Sequence, residues 1–223
     1  MRGRGIQLTL GIRGDTDARG ATRALAPGAV VLAGFALADE ARLLADLAVV
    51  TSAAPFRHLE TPGGFRMSVA MTNCGARGWV SDRRGYRYDT VDPHSGRAWP
   101  PMPASFRALA ADAAAAGGFT SFEPDACLVN RYEPGARLTL HQDRDERDYG
   151  APIVAVSLGM PAVFLFGGDA RADRPQRVPL AHGDVVVWGG PSRLRFHGVA
   201  AISDGWHETL GACRINLTFR RAA

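Results

Sequence analysis

Residues 137–143 read RLTLHQD, and the alternation in this stretch decides how the chain is read. In an extended strand successive side chains point to opposite faces. Arg137, Thr139, His141 and Asp143 then share one face, while Leu138 and Leu140 take the other. A histidine and a carboxylate two residues apart on one face can converge on a single cation. A polar turn after a strand would explain His141 and Asp143 equally well, so the rest of the chain has to decide.

From about residue 123 onward the sequence is a succession of short β runs: ACLVNRY (126–132), PIVAVSLG (152–159), AVFLFGG (162–168), RVPL (177–180), DVVVWGG (184–190), RLRFHGVA (193–200) and CRINLTFR (213–220). Gly, Pro and Asp punctuate them. Such spacing is that of a β-sandwich or jelly-roll barrel. In the last run Arg214, Asn216, Thr218 and Arg220 line one face and Ile215, Leu217 and Phe219 the other; in the first, Asn130 and Tyr132 share a face. Each polar face alone could be solvated. Together they describe a polar pocket inside a barrel.

Upstream, DEARLLADLAVVTSAA (39–54) and PASFRALAADAAAAGG (103–118) carry apolar residues at helical spacing, the second ending at a Gly pair. TPGGFRMSVAMTNCG (61–75) reads as a turn at Pro62-Gly63-Gly64 followed by a strand. Residues 1–28 are rich in Gly, Arg and Ala without periodicity and are expected to form a flexible tail. The expected division is therefore a tail (1–28), an N-terminal part with two helices (29–122) and a β-rich sandwich or jelly-roll domain (123–223).

Composition narrows the class. The 223 residues are 46% hydrophobic and 22% charged, as in ordinary globular proteins. No run approaches the roughly 18 apolar residues of a membrane span, and the start lacks a secretory cleavage pattern. Cys74, Cys127 and Cys213 are widely spaced, which points to reduced thiols and a cytoplasmic protein. Lysine is absent, so the 26 basic side chains are all arginine and the net charge is +4, compatible with a nucleic-acid partner.

Two histidines and one carboxylate form the facial triad of non-heme Fe(II) oxygenases. His58 and His94 lie in the loop-rich half, His182 in the turn AHGD, and His207 in a loop after Gly205-Trp206. His197 sits inside a β run and completes the set with His141 and Asp143. A co-substrate chelating the iron needs a cation for its far carboxylate, and Arg214 on the polar face of the following strand supplies one.

An H-x-D pair, a distant histidine and R-x-N-x-x-x-R resemble the Fe(II)/2-oxoglutarate dioxygenases. The blocks PDACLVNRYEPGARLTLHQDRDERD, APIVAVSLGMPAVFLFGG, HGDVVVWGGPSRLRFHG and CRINLTFR resemble the AlkB family of alkylated-DNA repair dioxygenases. The likeness extends upstream through TPGGFRMSVAMTNCGARGWVSDRRGYRY and covers about residues 28–221. It implies a double-stranded β-helix (jelly-roll) core with flanking helices and an N-terminal nucleotide-recognition lid. It also implies Fe(II) on His141, Asp143 and His197, with 2-oxoglutarate held by Asn130, Tyr132, Arg214, Asn216 and Arg220, and O2 as the second co-substrate. The implied reaction is oxidative demethylation of bases such as 1-methyladenine and 3-methylcytosine, releasing formaldehyde, succinate and CO2.

Substrate contacts follow from the same likeness. GWVSDRRGYRY interleaves aromatics with arginines, which alone describes an exposed, twisted hairpin. With the resemblance, Trp79 and His197 become the two faces around a flipped base, and Tyr86, Arg87 and Tyr88 meet backbone phosphates. Asp145 meets the exocyclic amine of a cationic base, and Arg171 is a further contact. The implied partner is single-stranded DNA, with double-stranded DNA and RNA left open, and the protein is expected to be a monomer with no membrane partner. An oxygenase for a protein or metabolite would keep the triad but has no use for the aromatic lid. A non-catalytic binding module would form no succinate.

Overall fold

The structure is a computed structural model that describes residues 20–223. Its organising strand is β14 (Arg214–Arg220), flanked antiparallel by β7 (Ala126–Tyr132) and β9 (Ile153–Gly159). The alternation read from CRINLTFR holds. Ile215, Leu217 and Phe219 pack into the main apolar core, while Arg214, Asn216, Thr218 and Arg220 face a cavity on the opposite side.

The large sheet continues on both flanks. On one side come β4 (Arg66–Gly75) and β3 (Arg57–Glu60); on the other β12 (Val185–Trp188), β2 (Ala29–Leu32) and β1 (Thr22–Ala26). All seven pairings are antiparallel. The smaller sheet has the order β11 (Gln176–Leu180), β10 (Ala162–Phe166), β13 (His197–Val199), β8 (Leu138–His141). This is the expected jelly roll. Apolar clusters join the two sheets, with Phe164, Phe166, Val178 and Leu180 on Val186 and Trp188 in one, and Leu138, Ala162 and Val199 with Leu128 and Tyr132 in another.

Two helices cover the outer side of the large sheet. α1 (Glu40–Ala53) buries Leu43, Leu47 and Val50, one stripe at helical spacing. α2 (Ala104–Ala116) buries Phe106, Leu109, Ala110 and Ala113 and stops at Gly117. Phe106 meets Phe219 of β14 edge-on, with ring centroids 6.0 Å apart. The helices thus press on the back of the strand whose front carries the polar residues. The expected turn at residues 62–64 is present between β3 and β4, where Gly64 has φ +80°.

One expectation needs correction at the N-terminus. Residues 1–19 lie outside the described residues, but Thr22–Ala26 are not a loose tail: they form β1 and pair with β2 from Thr22↔Leu32 to Ala26↔Ala29. Leu25 and Ala26 gain burial against the Phe164/Trp188 cluster, and five residues are too few to show that periodicity in sequence. The sheet also runs unbroken across the expected 122/123 boundary, because β4 pairs with β7 and β2 with β12. No helix among the described residues is long and apolar enough to cross a membrane.

Candidate active site

His141 ends β8, and His197 stands directly opposite it in the register of β13. Gly198 makes that pairing feasible: a Cβ there would lie 2.6 Å from the Leu138 carbonyl oxygen, so any larger residue would push the strands apart. The Nδ1 atoms of His141 and His197 lie 2.8 and 3.0 Å from the carbonyl oxygens of Thr139 and Arg195. A carbonyl can only accept, so both Nδ1 atoms carry hydrogen and both Nε2 atoms present lone pairs. These point at Asp143 Oδ1, at 3.5 Å from His141 and 3.7 Å from His197. With neutral rings, three acceptor atoms converge there, which is the donor set a divalent cation requires.

Electrostatics agree. Burial, reinforced by His141, pushes the His197 imidazolium down to about 4, so the ring is neutral near pH 7. Burial alone would raise the Asp143 carboxyl; Arg220, ahead of the two histidines, reverses this and holds it well below the usual carboxylate range. Arg220 donates from Nε to Asp143 Oδ2 at 2.7 Å, which leaves Oδ1 for a metal.

A cavity of about 780 Å³ opens above the triad. Its wall is the polar face of β14 and β7: Asn130, Tyr132, Arg214, Asn216, Thr218 and Arg220. Arg214 is the informative member. Its residue is 2% exposed, its guanidinium lies 5.2 Å over the Tyr132 ring, and one nitrogen donates to Ser157 Oγ at 2.9 Å. Nε and Nη1 have no partner, and neither has Asn130 Oδ1. Burial lowers the Arg214 pKa, with Tyr132 acting against it. A buried guanidinium without a carboxylate is costly, so this wall is built for an anionic ligand.

The mouth of the cavity is formed by β5 (Gly78–Asp82) and β6 (Gly85–Asp89), a separate hairpin, with the loop after β8. Trp79 and Tyr86 stack with centroids 5.6 Å apart and planes 13° from parallel. The indole N–H of Trp79 donates to Asp145 Oδ2 at 2.8 Å. Arg171 lies 5.4 Å over the Phe196 ring and also lines the opening.

Sequence similarity agrees with this geometry. The family model of the 2OG-Fe(II) oxygenase superfamily matches residues 28–220. Over 199 residues the chain is 58% identical to "Alpha-ketoglutarate-dependent dioxygenase AlkB" of Salmonella typhimurium, across 89% of this chain and 92% of that protein. This chain belongs to the AlkB family of 2OG-Fe(II) oxygenases. Human "Nucleic acid dioxygenase ALKBH1" is 33% identical over 124 residues, 56% of this chain and 32% of that protein. A solved structure of OsALKBH1 superimposes with a TM-score of 0.78 at 30% identity, over 90% of this chain and 99% of that one. Fe(II), 2-oxoglutarate and O2 are therefore the cofactor and co-substrates, and His141, Asp143 and His197 fit the iron.

Within this AlkB-family site, two substrate expectations meet an obstacle. Tyr88 turns its hydroxyl inward and donates to Glu146 Oε1 at 2.6 Å; burial raises its pKa well above the phenol value. Arg87 is already held by Asp82, with both terminal nitrogens 3.0 Å from its carboxylate oxygens. A phosphate would have to break these bonds, whereas Tyr86 is 48% exposed and free to meet one. Asp145 reaches the mouth from a loop, because β8 ends at His141 and does not continue as a strand. The His197 ring packs among His141, Trp188 and Phe164, so an edge rather than an open face is available. Ser157, Arg193 and Glu146 escaped the sequence reading. Glu146 stands in the charge run DRDERD, which signals a solvated surface.

Proposed function

We propose that this protein removes N-linked alkyl groups from damaged bases, 1-methyladenine and 3-methylcytosine above all, in single-stranded DNA. The observation that carries this reading is the juxtaposition of a three-acceptor metal site, an unpaired buried arginine and an aromatic mouth around one cavity. When bound, iron(II) with 2-oxoglutarate and O2 supplies the oxidising power to hydroxylate the alkyl carbon, leaving succinate and CO2. The hydroxymethyl product on the base nitrogen loses formaldehyde and restores the base.

The chain's own residues hold the parts in place. His141, Asp143 and His197 ligate the metal. Arg214 takes the far carboxylate of 2-oxoglutarate in a forked contact, with Asn130, Tyr132, Asn216 and Arg220 completing its pocket. Trp79 and Tyr86 offer flat surfaces on which a flipped base and its neighbours stack. Asp145 takes the exocyclic amine, and its charge favours a cationic alkylated base over a neutral one. Arg171 contacts the strand from the opposite rim. Flipping is cheapest where methylation has already abolished pairing. The β5–β6 hairpin would thus supply the lid and the two larger sheets the oxygenase core, working as a monomer.

Formaldehyde release tests this directly. Oligonucleotides carrying each lesion are supplied single-stranded, double-stranded and as RNA, with iron and 2-oxoglutarate each omitted in turn. Release is expected from single-stranded DNA and only with both additions. Succinate formation without any formaldehyde from methylated nucleic acid would overturn the substrate assignment.

A further inference from the structure

Glu146 belongs neither to the metal site nor to the co-substrate wall, yet its side chain is only 2% exposed. Glutamate is rarely so enclosed unless it is paired. Its two oxygens serve three partners. Oε1 accepts from the Tyr88 hydroxyl at 2.6 Å and faces Arg220 Nε at 3.3 Å; Oε2 accepts from Arg193 Nη2 at 3.1 Å. Both arginines also hold Asp143. Arg220 grips its carboxylate, with Nε 2.7 Å from Oδ2, and Arg193 Nη1 donates to its main-chain carbonyl at 2.7 Å. Glu146 is therefore the shared anchor of the two guanidiniums that fix Asp143, one at its carboxylate and one at its main-chain carbonyl. Its third partner comes from the lid hairpin.

Two carboxylates and two guanidiniums buried together are a poor way to gain stability, because desolvation offsets most of their attraction. What such a fully bonded network does well is fix geometry. We propose that Glu146 is a positioning residue that couples the β5–β6 lid to the metal centre, setting the Asp143 carboxylate through Arg220 and Arg193 while seating the lid through Tyr88. The proposal rests on His141, Asp143 and His197 being the metal ligands. Coupling of this kind is reciprocal. A lid held by an oligonucleotide favours the metal-ready placement of Asp143, and a bound metal favours the seated lid.

The test uses Mn(II) as a redox-inert probe, titrated calorimetrically into the full chain with 2-oxoglutarate present. The proteins are the unaltered chain, Glu146→Gln, Tyr88→Phe and the double variant, with thermal melts alongside. Glu146→Gln should weaken Mn(II) by about 10- to 100-fold, the usual effect of losing an outer partner of a metal ligand. Tyr88→Phe, which changes no charge, should weaken it several-fold. The double variant should be no weaker than Glu146→Gln, since Tyr88 reaches the metal site only through Glu146. If Glu146→Gln fails to fold, Tyr88→Phe carries the test alone. Tyr88→Phe binding Mn(II) like the unaltered chain overturns the coupling, as does a double variant equal to the product of the singles. Lower melting with unchanged Mn(II) affinity also overturns it. Failure of the unaltered chain to bind Mn(II), or binding insensitive to His141→Ala, would instead overturn the ligand assignment.

Discussion

Arg214→Met isolates the co-substrate contact. Methionine keeps much of the volume and removes the charge. In the protein, the two unpartnered nitrogens of Arg214 are the donors available to a carboxylate. Two charge-assisted bonds at about 1.5–3 kcal/mol each would be worth about 3–6 kcal/mol. Truncating one member of a buried charge pair costs about 2–5 kcal/mol. The ranges overlap at about 3–5 kcal/mol, or roughly 140- to 4,000-fold in affinity at 1.4 kcal/mol per tenfold. The 2-oxoglutarate concentration for half-maximal succinate formation should rise by that factor. Affinity for a methylated oligonucleotide should stay within about twofold, because Arg214 lies at the cavity wall and not at its mouth. The melting point without ligand should not fall, since the lost group is a buried charge whose only hydrogen bond runs to Ser157. A shift of the oligonucleotide requirement as large as that of 2-oxoglutarate would refute the assignment. So would a protein that melts early but binds 2-oxoglutarate normally.

His141→Ala should lose formaldehyde release and Mn(II) binding together; near-normal turnover with iron would remove it from the ligand set. Asp145→Ala should cost about 1.5–3 kcal/mol, roughly 10- to 100-fold, on 1-methyladenine and 3-methylcytosine, and less on a neutral lesion. An equal loss on both kinds of lesion, in parallel kinetic runs, counts against the contact. With chelator present, the unfolded chain takes up a proton at His197 near pH 6.5 that the folded chain refuses until about 4. Stability of the metal-free protein should therefore fall as pH drops through that window, and thermal melts independent of pH there would contradict the buried, neutral imidazole.

The parts of the site carried by strands were legible because strand periodicity places side chains without reference to partners. CRINLTFR sorts into Arg214, Asn216, Thr218 and Arg220 on one face, and RLTLHQD brings His141 onto the metal side, whatever lies opposite. Periodicity stops where β8 stops, at His141. Beyond it Asp143, Asp145 and Glu146 are placed by long-range partners: Arg220 for the first, Trp79 for the second, and Tyr88 with Arg193 and Arg220 for the third. No local pattern distinguishes Glu146, which is buried, from Arg144 and Arg147, which are exposed. The lid shows the same limit. Arg and Tyr alternate there, but nothing local shows that Asp82, a hairpin neighbour, pairs with Arg87. β1 was missed because its burial depends on Phe164 and Trp188, far along the chain.

The central place of β14 has a consequence for how the protein matures. This strand joins β7, β9 and, through them, most of the large sheet, and it pairs with residues 55 to 94 positions earlier. Pairings of such sequence separation form late, because loop closure must precede any gain from them. Arg214 and Arg220 reach their places only with that last closure, so a half-folded chain has no wall for 2-oxoglutarate and no brace for Asp143. Metal and co-substrate consequently bind the finished barrel alone, and each tenfold excess over their dissociation constants adds about 1.4 kcal/mol to its stability. A larger supply of 2-oxoglutarate is therefore expected to lengthen the survival of the folded protein under proteolysis.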